Sequence, residues 1–240
     1  RLGLHLLSQN YKLAVLAVDP TSKRSGGSIL GDKTRMEELA RHKNAFIRPS
    51  PAGAALGGIG NRSREALVAC EAAGFDAIFV ETVGVGQSET TVADMTDLFL
   101  LLLSPAGGDE LQGMKKGIVE IADIVLVNKA DGEFKKAAEV AASNHQSAIK
   151  MLKPSINKWN VPVLTCSALF NSGIDEAWKA IEEWQRITTA DGTFSRNREK
   201  QAQFWLWDAI RERFERELRR GLDRDDELDE LSLKVANGIM

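Results

Sequence analysis

Five apolar segments constrain the fold more than anything else in the chain: "KLAVLAVD" (12–19), "DAIFVET" (76–82), "LFLLLLS" (98–104), "DIVLVN" (123–128) and "VPVLTCS" (161–167). Several are apolar on both faces instead of alternating. A strand of that kind has to be covered on both sides, the condition met by a parallel sheet between two helical layers. Helical patterns fall between the segments, at 32–43, 61–73, 110–120, 133–152 and 172–187. The alternation predicts a doubly wound, mainly parallel α/β domain, in which ligands bind beyond the carboxyl ends of the strands. Asp19, Glu81, Asn128 to Asp131 and Ser167 all fall at that edge.

At 240 residues and 43% hydrophobic, the chain can bury one sizeable core with a small appended helical piece. Net charge is -3, which argues against a basic-stripe nucleic-acid binder and against a polybasic membrane surface. Cys70 and Cys166 lie far apart with no pairing or metal-ligand spacing, which fits a reducing compartment. His5, His42 and His145 are scattered and form no metal motif, and the longest apolar run is too short to span a bilayer. An α/β domain is expected over 1–190 and a helical extension over 191–240, joined by the polar connection "ADGTFSRNREK". In that extension Phe204, Trp207, Ile210, Phe214 and Leu218 recur every three or four residues, a stripe that fits either packing on its own domain or a dimer contact.

The segment "DIVLVNKADGE" raises a chemical question, because a buried strand stops abruptly at an amide, an ammonium and a carboxylate. Guanine presents an N1–H and an exocyclic amino group along one edge, which the Asp131 carboxylate accepts as a fork. Asn128 serves the O6/N7 side or ties the loop together, and the Lys129 stem lies along the base plane. Adenine lacks the N1–H and leaves the carboxylate unpaired, a penalty of about 1–3 kcal/mol. One strand later, "TCSALFNSG" offers the backbone amides of Ser167, Ala168 and Leu169 to the guanine O6, or else is a simple turn with Ser172 capping the next helix.

Three further loops carry polar residues. "AVDPTSKRSGGSILGDKTRM" contains Asp19 and Asp32 in a Gly- and Ser-rich stretch suited to reordering around a phosphate and a hard divalent cation, although Asp32 also fits a helix N-cap. "VETVGVGQSET" ends a strand in Glu81, with Gly84 and Gly86 allowing close backbone approach to a terminal phosphate. "SPAGGDELQGMKKG" brings Gln112, Lys115 and Lys116, equally readable as a solvated helix start.

Taken together, "VLAVDPTS…SGGSILGDKTRM", "IRPSPAGAALGG", "FVETVGVGQSE", "GGDELQGMKKGI", "VNKAD" and "CSAL" resemble the P-loop GTPases that accompany methylmalonyl-CoA mutase, the MeaB/MMAA family also labelled ArgK or LAO/AO transport. The resemblance runs in order along nearly the whole chain. It implies GTP binding and hydrolysis with Mg²⁺, a homodimer formed through C-terminal helices, and a chaperone that gates adenosylcobalamin delivery to the mutase and protects or reactivates it. It further implies cytoplasmic residence, or the mitochondrial matrix in a eukaryote. Under it Asn128, Lys129 and Asp131 read the base beside Ser167, Ala168 and Leu169. Asp19, Asp32 and Glu81 surround the magnesium and γ-phosphate near Gly84, and Gln112 and Lys115 answer the partner.

One departure stands out. The phosphate loop of the family, G-x-x-x-x-G-K-[ST], occurs nowhere in the 240 residues, and "RLGLHLLSQN" reads as the rear half of a helix with no start signal. The expectation is that a strand and this loop precede Arg1 in the natural protein, and that the 240 residues alone bind GTP poorly. Two other function classes compete: a nickel-insertion GTPase of the same nucleotide fold, which would carry His-rich or cysteine ligands, and a non-catalytic fold that only docks a partner. An ATPase or kinase reading conflicts with Asp131.

Overall fold

A computed structural model describes residues 1–19, 36–51, 58–82, 92–105, 116–151, 159–222 and 233–238. The elements in chain order are α1 (Leu2–Ser8), β1 (Leu13–Asp19), a single turn α2 (Glu37–Ala40), β2 (Ala45–Pro51), α3 (Gly58–Ala72), β3 (Ala77–Thr82), β4 (Leu100–Leu103), α4 (Lys116–Glu120), β5 (Ile124–Val127), a 3-10 turn (Gly132–Phe134), α5 (Lys135–Lys150), β6 (Val163–Thr165), α6 (Ile174–Ala190) and α7 (Thr193–Leu222). Among the described residues every strand pairing is parallel, and the strands form two three-stranded sheets, ordered β2-β1-β3 and β4-β5-β6. The α/β class expected from the sequence is therefore the one observed, with the strands shared between two sheets.

Alternate residues of the central strands explain the unbroken apolar runs. In β5, Ile124 and Leu126 face α6 and pack with Trp159, Ala177 and Trp184. Val125 and Val127 face the other way, onto Ala138 and Ile149 of α5. In β1, Leu13 and Val15 pack with Leu7 and Leu39, whereas Ala14 and Leu16 meet Cys70 of α3. Both central strands are covered on both faces, so neither can alternate. Helix α1 touches both sheets: Leu7 joins the β1 cluster and Leu2 packs against the β5 cluster.

Several expectations change. Strand β2 was not anticipated, because "AFIRPSP" holds an arginine and two prolines. It lies at the edge of its sheet, where proline is tolerated because one side of the strand has no ladder to donate to. The helix expected over 32–43 is, among described residues, only the turn Glu37–Ala40. The polar connection expected over 190–200 is largely helical: Gly192 adopts φ 76, the Asp191 carboxylate accepts the Thr193 amide at 2.9 Å, and α7 begins there. On the other side of β6, Gln146 of α5 reaches the strand's outer backbone, donating to Val161 O at 3.4 Å and accepting from Val163 N at 3.2 Å.

The chain divides into two compact units, Arg1–Ser195 and Arg196–Met240. Among the described residues, no helix is long and apolar enough to cross a membrane.

Candidate nucleotide site

The loops that leave β5 and β6 are bonded to one another. The Asn128 amide still donates to Leu103 O at 2.9 Å, extending the ladder one residue past β5. Lys129 then turns the chain through φ 62, a left-handed conformation unfavourable for a lysine, which the surrounding bonds hold in place. The Ala130 amide donates to Cys166 O at 2.9 Å, and the Cys166 amide to Val127 O at 2.9 Å. The side chains repeat the link. The Ser167 hydroxyl, fully buried, donates to Asp131 Oδ2 and accepts the Phe170 amide at 3.1 Å. Asn128 Oδ1 accepts the Ala168 amide at 3.0 Å and the Cys166 thiol at 3.7 Å. Behind the loop Ser167 and Ser172 exchange a backbone pair at 2.9 and 3.2 Å.

Gly173 closes the turn and is the N-cap of α6, in place of the expected Ser172. Its φ is 73, and a Cβ there would lie 2.4 Å from Thr165 O, so only glycine fits. Two of the three amides expected to meet guanine are engaged in holding the loop, Ser167 with Ser172 and Ala168 with Asn128. Ser167 is thus tied to Ser172 through its amide and to Asp131 through its hydroxyl. Leu169 is largely exposed beside it, on a cleft of about 330 Å³ between this loop and α1.

The first sheet presents the acidic edge. Glu81, half-buried, stands opposite Ala17, and Asp19 ends β1 two residues further on, so both acids lie at the carboxyl ends of adjacent parallel strands. Carboxylate oxygens are the donors a hard divalent cation takes. Asp32, Gly84, Gln112, Lys115 and the Asp19 side chain lie outside the described residues. Among the described residues no group of three His, Cys, Asp or Glu side chains is placed to hold a metal.

The family described as methylmalonyl Co-A mutase-associated GTPase MeaB matches residues 1–222. The chain belongs to the MeaB family. It is 50% identical over 204 residues to the GTPase ArgK of Escherichia coli, an alignment covering 85% of this chain and 62% of that protein. It is 49% identical over 210 residues to the mitochondrial methylmalonic aciduria type A homolog of Mus musculus, covering 88% and 51%. The chain spans about half to two thirds of the length of the curated relatives it matches. The solved structure of an LAO/AO transport system kinase superposes with TM-score 0.74 at 37% identity, covering 100% of this chain and 70% of that one. HypB from Helicobacter pylori, solved with nickel, shares the fold at TM-score 0.56 and 18% identity over 78% of this chain and 80% of that one.

In this MeaB-family chain the structure thus joins Asn128, Lys129, Asp131, Ser167, Ala168 and Leu169 at one rim, and Asp19 and Glu81 at the other. It also brings forward residues that motif reading passes over. Cys166 is 5% exposed and bonded to Asn128, and the Arg1 guanidinium donates to Ala168 O at 3.0 Å. The signal for Cys166 lay in its register: it is the first residue past β6, one place before Ser167 and level with Asn128.

Proposed function

We propose that the chain is the guanine-nucleotide-binding part of a GTP-hydrolysing chaperone that gates adenosylcobalamin loading of a methylmalonyl-CoA mutase-type enzyme and protects or reactivates it. The observation that carries this reading is the Ser167–Asp131 hydrogen bond at the rim of the second sheet. It fixes the Asp131 carboxylate through Oδ2 on the loop that leaves β5, and among the described residues Oδ1 of Asp131 has no partner.

In this reading Asp131 accepts the N1–H and amino group of guanine. The Lys129 stem, exposed and turned out by its left-handed backbone, lies along one face of the base, and Leu169 sits beside it. Asp19, Asp32 and Glu81 serve a magnesium ion, which neutralises charge on the β- and γ-phosphates while Glu81 orients water for GTP + H2O to GDP + phosphate. Gly84 approaches the γ-phosphate, and Gln112 and Lys115 respond to the partner. The exposed stripe of α7 forms the homodimer contact.

The test is Asp131→Asn in the full chain. Asparagine keeps an acceptor for N1–H but turns the second position into a donor, which repels the guanine amino group and suits the xanthine 2-carbonyl. GDP affinity falls about 100-fold, the loss of a charged, two-bond contact, and xanthosine diphosphate binds better than GDP in a fluorescent-nucleotide displacement assay. Unchanged GDP binding, or a wild type that takes ADP equally well, removes the reading. Mutase capture with GDP and with a GTP analogue then tests the switch: equal capture in all nucleotide states removes it. A nickel titration separates the HypB-like alternative.

A further inference from the structure

The tripeptide Ala-Asp-Gly occurs twice in the chain, at 130–132 and at 190–192. An aspartate followed by glycine is open to attack by its own backbone: the glycine amide nitrogen adds to the aspartate Cγ and closes a five-membered succinimide. Glycine favours the reaction because no Cβ shields its nitrogen or restricts the rotation that closes the ring. As sequence the two sites are equivalent, and the structure separates them. At Asp191 both reacting groups are engaged. The Gly192 amide donates to Thr189 O at 3.2 Å, and the Asp191 carboxylate accepts the Thr193 amide at 2.9 Å. Asp191 is also helical, φ -93 and ψ 0, at the end of α6. Asp131 is extended, φ -142 and ψ 166, and among the described residues the Gly132 amide has no acceptor. Gly132 is exposed, and a Cβ built on it would meet nothing within 4 Å, so the peptide has room to turn. The Ser167 hydroxyl donates to Asp131 Oδ2, which steadies the negative charge that gathers there as Cγ becomes tetrahedral.

We infer that Asp131–Gly132 is a site of spontaneous isoaspartate formation in the nucleotide-free chain. The Gly132 N–Cγ bond forms and a Cγ–O bond of the carboxylate breaks. The departing oxygen takes the amide hydrogen and one solvent proton and leaves as water. A second water opens the ring. Attack at Cγ restores aspartate, whereas attack at the main-chain carbonyl leaves the chain running through Cβ and Cγ, one carbon longer, with the free carboxylate on Cα. Nothing is oxidised or reduced. The group consumed is the carboxylate assigned to the guanine edge, so the consequence for binding rests on the guanine-site reading above. A base donating two hydrogen bonds to that carboxylate holds it away from Gly132, and an empty site has no such restraint.

The experiment ages the full chain at physiological temperature and mildly acidic pH, with and without GDP. Peptide mapping with electron-transfer fragmentation, which cleaves isoaspartate at its Cα–Cβ bond, then reads both sites. Without nucleotide, isoaspartate accumulates at Asp131 at least about ten-fold faster than at Asp191, where two hydrogen bonds must open first. The fraction of chains that bind fluorescent GDP falls in step with it. GDP at about 100 times its dissociation constant slows the reaction at Asp131 about 100-fold, since only the free chain reacts, and leaves Asp191 unchanged. Equal rates at the two sites overturn the inference. So does an unaltered Asp131 under conditions where a synthetic peptide spanning residues 127–135 isomerises. Failure of the guanine-site reading is distinguishable, because Asp131 would then isomerise at the free rate however much GDP is present.

Discussion

Helices α6 and α7 carry the same kind of sequence and meet opposite fates. On α6, Ile174, Ala177, Trp178 and Trp184 repeat at helical spacing and are buried; Trp184 is 2% exposed. On α7, Phe204, Trp207, Ile210, Phe214 and Leu218 repeat just as regularly, yet Trp207 is 65% and Phe214 68% exposed. A buried stripe needs a facing surface. Ile124 and Leu126 of β5 supply one for α6. An apolar stripe states that a helix needs a partner and leaves the identity of that partner open.

The largest effect expected is therefore on the α6 side. Trp184 packs in the β5 cluster and meets Phe194 edge-on at 6.3 Å between ring centres. Trp184→Ala leaves a cavity there and destabilises the Arg1–Ser195 unit by about 3–5 kcal/mol in chemical denaturation. A loss under about 1 kcal/mol would mean that α6 is no better anchored than α7, and the contrast would fail.

The same cluster hides a carboxyl group, and it supplies the next effect. Asp123, 9% exposed, precedes β5 and accepts the Phe99 amide at 2.9 Å, while its own carbonyl accepts the Trp159 indole N–H at 2.7 Å. Burial pushes its pKa from the ordinary 3.8 up to about 6, although the Phe99 amide favours the charged form. The Trp184 indole N–H also favours that form, without reaching full hydrogen-bond geometry. The folded chain consequently holds this proton more tightly than the unfolded chain. Stability contributed by protonated Asp123 is full below about pH 4 and is lost as pH rises through about 6, a change of about 3 kcal/mol. In Asp123→Asn the slope over that window disappears; parallel stability profiles for the two proteins would show that the site is wetter than its packing indicates.

These regions were not equally legible in the sequence. Strands β1 and β5 were, because residues covered on both faces must be apolar at every position. Edge strand β2 was not, since Pro49 and Pro51 break the pattern a central strand obeys and an edge strand need not. Asn128, Lys129 and Asp131 were legible as a spacing, but their mutual geometry was not. The Ser167–Asp131 and Cys166–Asn128 bonds join residues 36 and 38 positions apart, and only the parallel pairing of β5 with β6 brings them level. The start of α6 at Gly173 instead of Ser172 depends on how closely Thr165 O approaches, which no local pattern encodes. Likewise "ADGTFSRNREK" is polar enough for a loop, yet Ser, Arg, Asn, Glu and Lys also make a solvated helix surface, and the single break at Gly192 suffices for the turn.

The smallest effect on stability belongs to α7, and it is the one that sharpens the contrast. Replacing Trp207 and Phe214 together by glutamate removes two large side chains that are already mostly in water, so each loses little burial, and glutamate is a good helix former. The unfolding free energy of the Arg1–Ser195 unit should change by less than about 0.5 kcal/mol. If the stripe is the contact between two copies of the chain, the same substitution places two charges in an apolar interface, and sedimentation then reports a monomer where the unsubstituted protein is a dimer. A large stability loss with no change in mass would mean that α7 finds its partner within its own chain, as α6 does, and the two helices would differ only in degree.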